Sequence, residues 1–461
     1  MSDAASILAG DLFLRTSVAS LIDQLKNGAI TPRALADECI ERTEQLNDRY
    51  KVWVTFDKNI LIEHADTIQD RLDLGRPVRA LEGIPVGVKD IFNTIDLPTQ
   101  MGSPLWRGFT PGNDARIVHS LRDCGAAIPG KTDTAEFAVH AIGNCLNPHD
   151  VTRTPGTSSS GSAVAVALGI VPVAVGTQTA GSITRPASFC GVYGCKPSFG
   201  LIPRTGMLKT TDSLDTVGFF CAMREDMERM FDILRVHGPN YPLSHGALSD
   251  ESRQNKPDDR PWRVAFVRTH TWEFAADYAR DALLDFVTRL GATTDIVVED
   301  VALPAAMDKA HEVHQTIYDK TLSYYFRDEF ERPDQISPIM KEIIERGQQI
   351  SVADYHAALR AQFELTRVMD EFTSAYDVLL SLSTSGEAPP RDEVEKPDPS
   401  LMWTLTHLPV VSAPVFTSPA GLPFGAQLAA RKYNDLLLLR FVEYVGRLGL
   451  IPTGANPPVS V

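Results

Sequence analysis

Two serine-bearing, glycine-containing loops lie 24 residues apart in this chain, and each could carry a nucleophile. The first is GTSSSGS at 156–162 and the second TAGS at 179–182. Gly and Ser bury little apolar area, and Gly costs extra backbone entropy on folding. Such loops make sense where backbone N–H groups and small hydroxyls must approach a reacting group closely. A serine hydroxyl attacks poorly unless a partner takes its proton. A lysine can do so only when neutral, and burial in apolar surroundings favours that form. Lys89, within GIPVGVKDIF at 83–92, is the lysine in such surroundings upstream of the serines, with Lys131 and Lys196 as rivals.

Other chemistries fit less well. GAAIPGKT at 125–132 matches the phosphate-loop pattern, which needs a strand before its first Gly and a helix after its Lys. A helix is expected before Gly125, a strand falls inside the match, and Pro129 has no N–H to offer a phosphate. A helix-ending glycine followed by a strand is the better reading. No G-x-S-x-G elbow is present, because Ser160 rather than Gly stands two after Ser158. None of the eleven histidines has a recognisable triad context, although Ser-His-Asp sets are spatial rather than sequential. The six cysteines show neither C-x-x-C nor zinc spacing with His. They are expected as buried free thiols in a reducing cytoplasm, and no metal or other cofactor is expected.

The elements that must position these residues alternate along the chain. Helices are expected over Val18 to Leu46, broken at Gly28 to Pro32, and over Ile60 to Leu74, 114–125, Ser162 to Leu168 and Met223 to Val236. Strands are expected near Val52 to Phe56, Leu81 to Ile91, Ala126 to Gly130 and Val171 to Thr177. Pro148 to Gly161 reads as a loop, Gly191 to Gly206 as turn-rich, and Pro239 to Pro261 as a polar linker. Beyond it a β-α-β order over 263–298 implies a right-handed parallel crossover. Long helical stretches follow at 305–327 and 338–376. Strands at 378–382, 410–412 and 424–429 come next, a Pro-rich loop over 386–400 between them, and a helix closes at 435–447. The fold class is therefore α/β.

The 461 residues carry 59 acidic against 44 basic side chains, a net charge of -15. That weighs against nucleic-acid binding, which needs positive charge facing phosphate. The start of the chain has acidic residues and no basic segment, so no secretory leader is expected. The longest apolar-rich stretch, 163–175, contains Gly169 and Pro172 and is too short for a membrane span. A cytoplasmic enzyme acting on a small molecule, without nucleic acid or membrane, is expected, and a homodimer is compatible with it.

Taken in order, four motifs resemble the amidase signature family: GIPVGVKD at 83–90, GKTDTAEFA at 130–138, NPHDVTRTPGTSSSGSA at 147–163 and GTQTAGSITRPASFCGVYGCKP at 176–197. Residues 15–235 match strongly, and 400–447, including Trp403-Thr404-Leu405 and Gln427, more weakly. The resemblance implies a single domain over 1–461 with a large mixed, mostly parallel sheet covered by helices on both faces. Its catalytic core is expected over 70–225 and a helical pocket cover over 300–400. It implies a Ser-cisSer-Lys triad, with Ser182 as nucleophile, Ser158 after a cis peptide and Lys89 as base. Backbone N–H groups of Thr179, Ala180, Gly181 and Ser182 would form the oxyanion hole, with Ser159 and Gln178 in support.

The activity implied is cofactor-independent hydrolysis of an amide, anilide or carbamate. The family also contains glutamine-dependent amidotransferase subunits that work with a partner chain. Aromatic residues at Tyr318, Tyr324, Tyr325, Phe326 and Trp403 point to an aryl pocket. The chain departs from the family's common pattern at Thr157 and Ser160, where glycines are usual. It departs again at Gln178, where Asp is usual, and at Thr184, where Arg is usual, with Arg185 displaced by one position. An ion pair is thus replaced by neutral groups.

Overall fold

The computed structural model describes residues 11–458, so the residues behind the no-leader expectation lie partly outside it. Eleven strands form one sheet. They are β1 (Trp53–Phe56), β2 (Val86–Lys89), β3 (Gly130–Thr132), β4 (Val173–Gln178), β5 (Tyr193–Lys196), β6 (Thr216–Cys221), β7 (Trp262–Val267), β8 (Ile296–Val301), β9 (Val378–Leu382), β10 (Val410–Thr417) and β11 (Pro423–Ala429). Their order across the sheet is β1-β3-β2-β4-β6-β5-β10-β11-β9-β7-β8, and helices lie on both sides.

The mixed sheet is as expected, but parallel pairing does not dominate it. It is confined to the β3-β2-β4 and β9-β7-β8 wings. From β4 through β6, β5, β10 and β11 to β9 every neighbour is antiparallel. Two of these antiparallel pairs come from β6, a strand without local warning in the sequence, which inserts between β4 and β5.

Registry fixes where the chemistry sits. In the parallel β2–β4 pair Val86 lies opposite Val173 and Val88 opposite Val175. Lys89 at the end of β2 and Gln178 at the end of β4 therefore leave the sheet at the same edge. Gln178 also pairs with Thr216, the first residue of β6, which brings the preceding Asp215 beside the turn after β4. These strands are buried on both faces, so they read as runs of Val, Ala and Phe without alternation.

A helix over Ser160–Ala167 packs under β4 with every residue buried. Its small side chains permit this: a Cβ on Gly161 would fall 2.3 Å from the main-chain nitrogen of Asp133. Ser162 Oγ donates to Val175 O at 2.9 Å and meets Thr132 Oγ1 at 2.7 Å, so its burial is satisfied. A second buried helix, Thr184–Cys190, was not expected. Pro186 sits in its first turn, where a missing N–H costs nothing, and Gly191 ends it at φ 69.

Between β8 and β9 three helices, Ala310–Tyr325, Pro338–Gln349 and Val352–Thr373, form their own apolar cluster. Ser337 and Ser351 cap the last two by accepting N–H bonds at 3.1 Å. The expected Pro239–Pro261 linker is instead part of the body. It holds helices at Pro242–Ser249 and Glu251–Gln254, and Gln254 Nε2 donates to Tyr433 O at 2.6 Å. Among the described residues all six cysteines are free, five of them buried, and no helix is long and apolar enough to cross a membrane.

Candidate active site

Lys89 is fully buried, and its Nζ meets three hydroxyls. Ser158 Oγ lies at 2.7 Å, Ser159 Oγ at 3.0 Å and Thr177 Oγ1 at 3.0 Å. Among the described residues no carboxylate contacts it. Burial holds its pKa well below the usual lysine value; the charge of Asp215 opposes the shift and that of Arg185 adds to it. Ser159 is fixed by β4, because its Oγ donates to Thr177 O at 3.1 Å and accepts the Thr177 N–H at 3.2 Å. A neutral amine has two N–H groups and one lone pair. Ser159, its proton already given to Thr177 O, can only accept from Nζ. If Thr177 Oγ1 takes the second N–H of a neutral amine, its lone pair would face Ser158 Oγ. The peptide bond between Thr157 and Ser158 is cis.

The rival lysines are held differently. Lys131 Nζ donates to Phe92 O and Thr99 Oγ1, both at 2.7 Å, and lies 3.5 Å from Asp90. Lys196 Nζ donates to the carbonyls of Pro197 and Leu408. Burial lowers both, Lys131 to about 8 and Lys196 to about 7. Among the described residues neither hydrogen-bonds a serine, and Lys131 spends on carbonyls the ammonium that a phosphate loop would need.

The Thr179–Ser182 turn comes directly after β4. Among the described residues its four N–H groups donate no hydrogen bond, and Ser182 Oγ has no partner. Gln178 organises the entry to the Thr184–Cys190 helix: its Oε1 accepts the N–H groups of Ile183 at 2.9 Å and Thr184 at 3.0 Å. Its Nε2 donates to Ser400 Oγ at 2.9 Å and Thr404 Oγ1 at 3.0 Å. Gly181 has to be glycine, because a Cβ there would fall 1.6 Å from Asp398 Oδ2.

The family model described as Amidase matches residues 34–439. The chain belongs to the amidase family. Among its relatives, a glutamyl-tRNA(Gln) amidotransferase subunit of Synechococcus elongatus is 31% identical over 449 residues, covering 89% of this chain and 93% of that one. A solved chain from a vestigial protein complex tied to the origins of an s-triazine catabolic enzyme, inhibitor bound, superposes with a TM-score of 0.84. It is 26% identical, and the match covers 95% of this chain and 100% of that one. A crystal structure of an amidase gives 0.83 at 27% identity, covering 94% and 100%.

Within this amidase-family chain, the departures from the common pattern have a visible geometry. Gln178 and Thr184 are tied by hydrogen bonds where an ion pair was expected to be lost. Charge pairing has moved to Arg185, which lies 3.0 Å from both Glu395 and Asp398 and donates to Thr157 Oγ1 at 3.0 Å. Burial works against the Arg185 charge, but Glu395 and Asp398 outweigh it and raise its pKa.

A cavity of about 930 Å³ opens beside this pair. Thr157, next to Ser158, and Ala180, two residues before Ser182, lie in its wall; the two serines and Lys89 do not. Ile142, Ile339, Ile343 and Leu401 supply apolar wall, and Arg391 to Asp398 form one side. Of the five aromatics expected there, only Tyr318 lines it. Phe326 and Trp403 are core residues, Tyr324 faces solvent and Tyr325 donates to Asp212, because the helical period turns these positions away from the cavity.

Several residues at the site gave no signal in the sequence. Thr177 faces Lys89 as an ordinary strand residue. Asp215 accepts from Thr179 Oγ1 at 2.8 Å and from the N–H groups of Thr210 and Thr211. His314 and Asp398 arrive from 135 and 213 residues away to meet Thr179 and Arg185.

Proposed function

We propose that the protein hydrolyses a carboxamide or a related C–N bond in an anilide or carbamate through a Ser182 acyl-enzyme. The observation that carries this reading is Lys89, buried among three hydroxyls and, among the described residues, no carboxylate, where burial shifts the balance toward the neutral amine. Lys89 accepts the Ser158 proton as Ser158 accepts that of Ser182. Ser182 Oγ then bonds to the acyl carbon, and the carbonyl oxygen becomes an oxyanion facing the free N–H groups of the 179–182 turn. The relay returns the proton to the nitrogen as the C–N bond breaks. Water, deprotonated by the same relay, releases the acid and regenerates Ser182.

The helical segment between β8 and β9 serves as the substrate cover, and its cavity is large enough for an aryl group. A second reading, an amidotransferase A-type subunit drawing ammonia from glutamine, is favoured by the resemblance to the cyanobacterial protein. It requires a partner chain, and the net charge of -15 opposes a tRNA-bound acceptor.

The test is a panel of p-nitroanilides, aryl amides, an aryl carbamate and glutamine, run with wild type, Ser182→Ala and Lys89→Ala. Hydrolysis of the aryl substrates without a partner supports the first reading. Activity confined to glutamine, dependent on a copurifying chain, supports the second. Full activity in Ser182→Ala overturns the mechanism common to both.

A further inference from the structure

Three successive carbonyls of the 179–182 turn are each held from outside it. His314 Nε2 lies 2.8 Å from Thr179 O. Thr404 Oγ1 donates to Ala180 O at 2.7 Å. The main-chain N–H of Arg185 donates to Gly181 O at 2.9 Å. A trans peptide places its C=O and N–H on opposite sides of the chain, and the one cis bond among the described residues lies elsewhere, at Thr157–Ser158. Each held carbonyl therefore aims the next N–H, on Ala180, Gly181 and Ser182, to the far side. Those N–H groups are the ones without acceptors.

Two of the clamps come from segments whose motifs resemble the family. The first does not: His314 belongs to the Ala310–Tyr325 helix of the segment between β8 and β9. We propose that His314 is a positioning residue whose Nε2–H, by holding Thr179 O, aims the Ala180 N–H at the oxyanion. This inference rests on the proposed Ser182 acyl-enzyme.

The local chemistry supports the assignment. A carbonyl oxygen only accepts, so Nε2 must carry the proton. The ring is buried, which pulls its pKa down to about 4 and leaves it neutral at pH 7. Thr179 is held a second time through Oγ1 by Asp215 at 2.8 Å, so the residue cannot follow a loosened carbonyl freely. His314 stacks on Tyr318, ring centroids 5.6 Å apart, and both residues line the large cavity. Contact with substrate at Tyr318 thus bears on the same ring that sets the N–H direction.

An active-site fluorophosphonate probe tests this without knowledge of the substrate, since the attacked P=O develops the same kind of oxyanion. Wild type, Ser182→Ala, His314→Leu and His314→Gln are labelled over a range of probe concentrations. His314→Leu is expected to lower the maximal labelling rate about 30-fold, with the half-saturating concentration changed less than about threefold. Gln, which keeps an N–H, is expected to recover the rate to within about fivefold of wild type. A wild-type rate in folded His314→Leu, with Ser182→Ala silent, overturns the His314 assignment alone. Labelling of Ser182→Ala at the wild-type rate overturns the acyl-enzyme reading itself. Should His314→Leu not fold, ¹⁵N-histidine NMR of the wild type decides. The resonance missing from His314→Gln must come from a neutral ring protonated at Nε2, and protonation at Nδ1 overturns the proposal.

Discussion

Lys89 ends β2, and Lys131 lies in β3 beside it, where Val88 pairs with Lys131 and Lys89 with Thr132. Both side chains are fully buried, and burial lowers the pKa of each. Their surroundings differ in what they accept. Lys131 has two carbonyls, a hydroxyl and the Asp90 carboxylate within reach, a set that holds a positive charge. Lys89 has only hydroxyls, groups that can give a proton as well as take one. Taking a lysine out of water makes the amine available; the neighbours decide whether it serves as a base or as a structural cation.

The comparison is sharpened first by removing what Lys89 is proposed to serve. Ser182→Ala should cost about 10⁴ or more in kcat/KM on any substrate of the wild type, read against an unchanged melting curve. Next, Lys89→Ala should lose about 10²- to 10⁴-fold at pH 7 and recover part of it at high pH, where hydroxide replaces the base. The wild-type pH profile carries the sign of this assignment. Protonated Lys89 has no lone pair, so activity must fall as pH drops through its lowered pKa. The plateau must then begin well below the ordinary lysine range, and a rise only near pH 10 would break the comparison.

Lys131→Met should act on the fold instead. It leaves Asp90 buried without its cation, at about 3–5 kcal/mol in urea unfolding, while the pH profile of the surviving folded enzyme keeps its shape. Burial already raises Asp90 to about 6. The smallest effect is expected from Ser159→Ala, which takes one of the three acceptors from Lys89. About 1 kcal/mol, or fivefold in kcat, is the loss to look for in steady-state assays.

How far the sequence alone reaches follows the range of the interactions. The Lys89–Ser158 contact was legible because each residue lies in a dense local motif, and the proposed nucleophile Ser182 lies in a third. The closing helix Asp435–Arg447 and strand Val378–Leu382 were legible because one apolar run sets each. β6 was not, since its Phe219 and Phe220 could equally have closed a loop, and only pairing with β4 and β5 makes it a strand. The Thr184–Cys190 helix hid behind Pro186 and two β-branched neighbours, poor helix formers that burial overrides. His314 and Asp398 reach the site through contacts made across 135 and 213 residues, and Asp215 meets Thr179 through one side-chain bond from its own local turn; such contacts leave no periodic trace. The loss of the 178/184 ion pair was readable from residue types. Its replacement by Arg185 with Glu395 and Asp398 was not, because that partnership joins the turn to a loop two hundred residues on.

The Gln178–Thr404 hydrogen bond joins residues 226 positions apart, and Thr404 in turn holds the turn that carries Ser182. A chain still being synthesised already contains Lys89, Ser158 and Ser182 long before it contains Thr404. Closing so long a loop is slow and comes late in folding. The proposed nucleophile Ser182 therefore acquires its final alignment only when nearly all of the chain is present, so truncated or nascent chains should carry Lys89, Ser158 and Ser182 without activity.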